Sequence, residues 1–205
     1  MQIDPSSLSR RDGYFLMISA IVPRAIAFVS TTSPDGRTNA APFSYFTGVS
    51  SSPPTLLICS SRRRDGMKDT HRNIVETREF VVNVVVEEIM DAVVIGGTDH
   101  PPHVSEIELA RLRTAPGVKV KAPLLVDSPV NLECRLSQTV EVAGTAILIG
   151  EIVWMHLRDD LVVERAAPAG GPPSKVIDVA KLKPIARLGG DEYATLGSIF
   201  ERTRP

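Results

Sequence analysis

Aromatic residues make up only 5% of this 205-residue chain, and its formal net charge is −1. Proteins that bind nucleic acid or acidic membrane surfaces usually carry an excess of positive charge, and single strands are bound by stacking on aromatic rings. We therefore expect neither nucleic acid nor a membrane as a partner. The apolar stretch from Tyr14 to Ser30 is interrupted by Pro23-Arg24, too early for a helix that spans a bilayer.

Cysteine is equally scarce. Cys59 and Cys134 lie far apart in apolar segments, so the spacing of a zinc or iron–sulfur site is missing, and two buried thiols in a reducing compartment are favoured. No basic-then-apolar signal opens the sequence, and we expect a cytoplasmic protein. His100 and His103 are separated by two prolines and belong to no metal-binding motif, so we predict no metal site.

Short apolar and β-branched runs separated by turns dominate the sequence. They predict strands at 25–32, 38–41, 44–50, 55–60 and 80–86, and a hairpin of two long strands over 129–158. Helices are predicted at 6–21, 70–79, 87–95 and 105–112. Regular βαβ alternation and G-x-G-x-x-G are both missing, so we predict a mainly β fold, an antiparallel barrel with helical decorations. The length fits one domain, 1–205, with a flexible loop at 166–173.

One candidate binding segment follows the first predicted hairpin turn. Small side chains let backbone groups approach the edge of a planar ring, and Pro42 interrupts the strand hydrogen bonding. Asn39 and Ser44 add a donor and an acceptor. The candidate ring-binding residues are therefore Asn39, Ala40, Ala41, Pro42, Phe43 and Ser44. The alternative is an ordinary bend from strand to loop with a structural asparagine.

A second candidate segment surrounds the basic run after the 55–60 strand. Lys68 supplies a charge, Thr70 a hydroxyl, and the following helix an N-terminus with free N–H groups, a combination that suits phosphate. Arg62 offers a forked donor. The candidate phosphate-binding residues are Ser60, Ser61, Arg62, Lys68 and Thr70. The alternative is a solvated basic loop in which Asp69 or Thr70 simply caps the helix.

A series of short motifs carries a family resemblance when they are taken in order. These are Pro23-Arg24-Ala25-Ile26-Ala27-Phe28-Val29-Ser30-Thr31, Asn39-Ala40-Ala41-Pro42-Phe43-Ser44-Tyr45-Phe46, Lys68-Asp69-Thr70, Glu79-Phe80-Val81-Val82-Asn83, Ser128-Pro129-Val130-x-Leu132-Glu133-Cys134 and Arg187-Leu188-Gly189-Gly190-x-x-Tyr193. Over about residues 14–193 the chain resembles the flavin reductase-like family of FMN-binding split barrels. That family includes flavoredoxin and the reductase components of two-component flavin monooxygenases.

The resemblance implies a Greek-key antiparallel split barrel and a homodimer with FMN sites at its interface. It also implies that the segment 39–44 lines the isoalloxazine ring and that residues 60–62, 68 and 70 hold the phosphate. NADH or NADPH would donate hydride, and a monooxygenase component is a possible recipient of reduced flavin. The insertion Arg63-Arg64-Asp65-Gly66 departs from the family pattern, so no role is assigned to Arg63 or Arg64. No role is assigned to His71 or His156 either.

Three hypotheses follow from these residues. The first is an NAD(P)H-dependent flavin reductase, in which the cofactor supplies the hydride chemistry and no acid–base pair is needed. The second is a non-enzymatic FMN carrier or redox sensor. The third is a related barrel that binds a pyridoxamine-phosphate-type substrate or haem. The sequence assigns no catalytic residue under any of them.

Overall fold

The computed structural model describes residues 1–61, 66–101, 104–166 and 171–202. Within these ranges the helices are α1 (Arg10–Ala20), α2 (Asp69–Thr77), α3 (Met90–Gly96), α4 (Glu106–Leu109) and α5 (Val179–Leu182). The strands are β1 (Arg24–Ala25), β2 (Ala27–Thr32), β3 (Thr38–Phe43), β4 (Phe46–Ser51), β5 (Pro54–Ser61), β6 (Glu79–Val84), β7 (Thr114–Ala115), β8 (Leu124–Leu125), β9 (Val130–Val142), β10 (Thr145–Leu157), β11 (Val162–Arg165), β12 (Ser174–Ile177), β13 (Ala186–Arg187) and β14 (Tyr193–Ala194).

One antiparallel sheet of seven strands forms most of the fold, in the order β3-β2-β6-β9-β10-β5-β4. The long hairpin predicted over 129–158 is confirmed as β9 and β10, which turn at Ala143 and Gly144, both with positive φ. The sheet curls until β3 approaches β5, which lies near its other edge. The predicted mainly β antiparallel fold is therefore confirmed.

Alternation along the strands directs one set of side chains into the curled sheet. This interior is built by Ala27, Val29, Phe43, Leu56, Ile58, Ile74, Phe80, Val82, Cys134, Leu136, Ala146 and Leu148. Only Ile74 of this set comes from a helix, α2. The continuous apolar run of β5 suggests burial on both faces, but the strand alternates: Leu56 and Ile58 are buried, whereas Leu57 and Cys59 are half-buried.

The outer face of β2 and β3 is covered by α3 and α4 in a second apolar cluster that includes Phe28, Ala40, Val93 and Ile107. Gly96 permits this close packing, because a Cβ there would lie 2.8 Å from the carbonyl oxygen of Ala40. The C-terminal end of α3 is thus held against β3. A separate three-stranded sheet, β1-β13-β14, contributes Tyr193 to the same cluster.

Helix capping differs in part from the sequence-based expectation. The side chain of Ser9 caps α1, which begins four residues after the predicted start at 6, and that of Ser105 caps α4. Capping of α2 by Asp69 or Thr70 is wrong, since that helix begins at Asp69 and the capping position is Lys68, whose side chain makes no capping bond. The predicted loop 166–173 connects β11 to β12, and its residues 167–170 lie outside the described residues. No helix in the described part of the chain is long and apolar enough to cross a bilayer.

Candidate functional site

A cavity of about 440 Å³ lies where β3 and β5 end beside α1, α3 and the β13–β14 hairpin. Its size is in the range typical of small-molecule and cofactor sites. Five residues predicted from the sequence line it: Pro42, Phe43, Ser44, Ser61 and Lys68. The structure therefore brings parts of both candidate segments to one cavity, although Ser44 and Ser61 lie 17 positions apart in the chain.

The walls of this cavity combine apolar side chains with a localised positive charge. Ile18, Ile26 and Val93 contribute apolar surface, whereas Lys68 places its Nζ 5.6 Å from the centre of the Phe43 ring. A partly enclosed site with a cation beside an aromatic ring favours a ligand in which an anionic group is attached to a flat apolar ring.

A smaller cleft of about 50 Å³ shares Pro42, Lys68 and Gly97 with the cavity. The predicted residues Asn39, Ala41 and Thr70 line this cleft rather than the cavity itself. All three predicted residues thus lie beside Lys68, at the end of the site formed by the start of α2.

Asn39 and Thr70 are buried and bonded to each other. The Thr70 hydroxyl donates to Asn39 Oδ1 at 2.8 Å, and Asn39 Nδ2 donates to Glu106 Oε2 at 2.5 Å. Because a threonine hydroxyl has a single proton, this bond leaves Thr70 only as an acceptor toward any other group. Glu106 belongs to a segment to which the sequence assigned no function.

Ala40 and Ser60, which were also predicted, stand apart from the cavity. Ala40 is buried among the outer apolar cluster. Ser60 is fully buried on the interior side of β5, and its Oγ has no hydrogen-bond partner among the described residues. Arg62 lies outside the described residues, as do Arg63, Arg64 and His103. Of the histidines left unassigned, His71 is buried on α2 and His156 bonds to Glu133 Oε1 at 2.5 Å.

Arg24, Arg187 and Tyr193 also line the cavity, and sequence reasoning assigned none of them to the site. Arg24 is buried and donates to the carbonyl oxygens of Ile18 and Leu188 and, at 3.4 Å, to Ser44 Oγ. Arg187 stacks its guanidinium 4.4 Å from the centre of the Tyr193 ring. All three occur in the motifs that carry the resemblance, but only the fold reveals that they meet at one cavity.

The cavity holds two weakly acidic groups whose pKa values are raised by burial. Burial raises the pKa of the Cys59 thiol, and it also raises the pKa of Tyr45, with a further contribution from Tyr14. A thiol of raised pKa is a poor nucleophile at neutral pH. Tyr45 Oη has no hydrogen-bond partner among the described residues, so a polar group remains available for a ligand.

Comparison with known proteins identifies the kind of site. Residues 19–168 match the family described as flavin reductase like domain. The chain belongs to the flavin reductase-like family.

An uncharacterized protein of Halalkalibacterium halodurans is 40% identical, covering 100% of this chain and 97% of the relative. The crystal structure of nitrilotriacetate monooxygenase component B from Bacillus cereus is 33% identical with a TM-score of 0.89, covering 98% of each chain. That of 2-nitrobenzoate 2-nitroreductase from Pseudomonas fluorescens is 30% identical with a TM-score of 0.82, covering 100% of this chain and 96% of the other.

The residues of this flavin reductase-like chain fit a flavin. Apolar walls suit a flat heterocycle, the buried Tyr45 hydroxyl can bond to a polar ring edge, and Ser61 and Lys68 offer donors to an anionic tail. The cavity is therefore chemically suited to the cofactor class of its family.

Proposed function

We propose that this protein binds FMN in the 440 Å³ cavity and reduces it with NADH or NADPH. The observation that supports this most is the position of Lys68 between the cavity and the smaller cleft, beside the aromatic ring of Phe43. A cation at one end of a cavity that has apolar walls at Ile18, Ile26 and Val93 suits a phosphate-bearing heterocycle. Family membership supports the same class of ligand.

In this proposal the cofactor, when bound, accepts the hydride. Lys68 and Ser61 bind its phosphate, and the start of α2 adds backbone N–H groups with the positive end of the helix dipole. The stretch Pro42–Ser44 lies along the ring. Ile18, Ile26 and Val93 exclude water from the ring, which strengthens polar contacts inside the cavity.

Turnover of a reduced nicotinamide tests the proposal directly. We expect the purified protein to oxidise NADH or NADPH when FMN is added, followed by the loss of absorbance of the reduced nicotinamide. Tight retention of FMN without such oxidation would instead indicate a flavin carrier or redox sensor. A spectrum of the purified protein with haem bands and no flavin bands would contradict the choice of cofactor.

Lys68→Ala tests the phosphate end of the site. We expect FMN affinity to fall by about 1–3 kcal/mol, roughly 5-fold to 150-fold, because a charge-assisted contact is lost. Titration of flavin fluorescence measures this, with Lys175→Ala, at an exposed position of β12, as a matched control. An unchanged dissociation constant in Lys68→Ala would remove this lysine from the site.

We further propose a homodimer whose interface includes α1. Large apolar side chains of this helix are exposed, among them Tyr14 at 51%, Leu16 at 49% and Met17 at 44%, and Tyr14 also lines the cavity. A second copy packed there would bury this surface beside the flavin. Sedimentation equilibrium should give a dimer mass, and Leu16→Glu should shift it toward the monomer.

The acceptor of the reduced flavin is proposed from the relatives. Similarity to a monooxygenase component B favours transfer to a separate monooxygenase component, and similarity to a nitroreductase favours direct reduction of a nitroaromatic compound. Adding 2-nitrobenzoate to the nicotinamide assay separates the two, since only the second predicts its consumption. A single domain over 1–205 and a cytoplasmic location remain part of the proposal.

A further inference from the structure

Helix α4 and the residue before it lie against strand β3, which carries the first candidate segment. Thr38 Oγ1 lies 3.5 Å from Ser105 Oγ, and Asn39 bonds to Glu106. Ala40 and Ile107 pack in the same apolar cluster. Thr38 and Asn39 therefore pair with Ser105, which caps α4, and with Glu106, its first residue. Asn39 and Glu106 both line the smaller cleft, which makes this segment part of the site.

Glu106 is the polar centre of this contact and is only 4% exposed. Burial raises the pKa of its carboxyl, and the neighbouring Asp69 adds to the effect, while Glu106 and Ala40 backbone N–H groups and His100 oppose it. The carboxyl accepts from Asn39, which accepts in turn from Thr70. A continuous chain of hydrogen bonds thus runs from α4 through β3 to the first turn of α2.

We propose that Glu106 is a positioning residue for the phosphate end of the flavin site. Through Asn39 it fixes the Thr70 hydroxyl, and with it the turn that carries Lys68. This inference rests on the proposed function, since it assumes that Lys68 meets a flavin phosphate.

The effect of losing Glu106 follows from the direction of the bonds. Without the carboxyl, the Asn39 amide loses the partner that orients it, and Oδ1 no longer has to face Thr70. The hydroxyl and the first turn of α2 are then less well held, and a misplaced binding group weakens the contact it makes. The ring end, at Pro42–Ser44, does not depend on this chain of bonds.

Three substitutions of Glu106 distinguish the effect of side-chain length from the effect of charge. Glu106→Ala removes the acceptor, and Glu106→Asp keeps the charge but shortens the side chain by one carbon–carbon bond. Glu106→Gln removes the charge but keeps an oxygen at the same reach. Glu108→Gln is the matched control, because Glu108 is exposed on the same helix. Dissociation constants for FMN and for riboflavin, which lacks the phosphate, are measured for each by fluorescence titration.

We expect Glu106→Ala and Glu106→Asp to weaken FMN binding by about tenfold or more and riboflavin binding by less than about threefold. Glu106→Gln should stay within about threefold of the unchanged chain for both flavins, and Glu108→Gln should not differ from it. If Glu106→Ala does not fold, the contrast between the aspartate and glutamine variants decides.

Two results would overturn the assignment. One is FMN binding by Glu106→Asp that equals that of the unchanged chain. The other is an equal loss of FMN and riboflavin binding, which would mean a general structural role. Failure of the unchanged chain to bind either flavin would overturn the proposed function as well, and this is measured first.

Discussion

Glu133→Ala is expected to destabilise the protein by roughly 3–5 kcal/mol. The Glu133 side chain is fully buried, and its carboxylate accepts from the backbone N–H groups of Val118, Lys119 and Val120 at 2.8, 2.6 and 2.9 Å. It also bonds to His156 at 2.5 Å. The substitution leaves three backbone donors of one loop without their acceptor. Urea unfolding measures the loss.

Glu151→Ala, at an exposed position of β10, is the control and should change stability by less than about 0.5 kcal/mol. Burial alone would raise the pKa of Glu133, but the bonds from His156 and the three N–H groups outweigh it and lower that pKa. This stabilisation is therefore present above the pKa of the unfolded carboxyl and is lost as pH falls through the folded value. Equal acid sensitivity of the unchanged chain and Glu133→Ala would contradict this role.

Arg24→Ala is expected to cost a similar amount, roughly 3–5 kcal/mol, and to disturb the cavity. Arg24 is only 8% exposed and donates to the carbonyl oxygens of Ile18, Ile21 and Leu188 at 2.5, 2.7 and 2.7 Å. It therefore joins the end of α1 to the segment before β14. Its removal leaves these carbonyls unsatisfied and frees the Ser44 side chain.

Thermal unfolding and flavin titration together check the effect of Arg24. Arg24→Lys should recover only part of the stability, because an ammonium group lacks the planar fork that reaches several carbonyls at once. Arg10→Ala, on the exposed N-terminal turn of α1, is the matched control. A melting temperature of Arg24→Ala equal to that of Arg10→Ala would show that the buried arginine is not a structural link.

The large elements could be predicted because their signals are local. The hairpin of β9 and β10 is marked by two long β-type runs and an Ala143-Gly144 turn, and the first hairpin by the Asp35-Gly36 turn, where Gly36 has a φ of +88°. The start of α2 was misjudged because Asp69 and Thr70 both favour capping positions, whereas in the fold both lie inside the first turn of the helix. In the fold Asp69 pairs with Arg72 and Thr70 bonds to Asn39, so both side chains are used elsewhere.

The candidate site could likewise be predicted only in part. Ser44, Ser61 and Lys68 could be predicted from their chemistry and from the motifs around them, and they line one cavity. The direction in which each side chain points could not be predicted. Ala40 and Ser60 turn away from the cavity because the pleat of a strand alternates sides, and a motif does not reveal which side faces a ligand.

The sequence by itself determined the antiparallel β architecture and the two segments with suitable chemistry, because turn residues, β-branched runs and small side chains act over a few neighbours. Only the tertiary structure decided which side chains meet. Arg24 reaches Leu188 across 164 positions, and Glu106 reaches Asn39 across 67. Contacts at such separations depend on how the sheet curls and on which helix covers it, and no local pattern encodes that geometry.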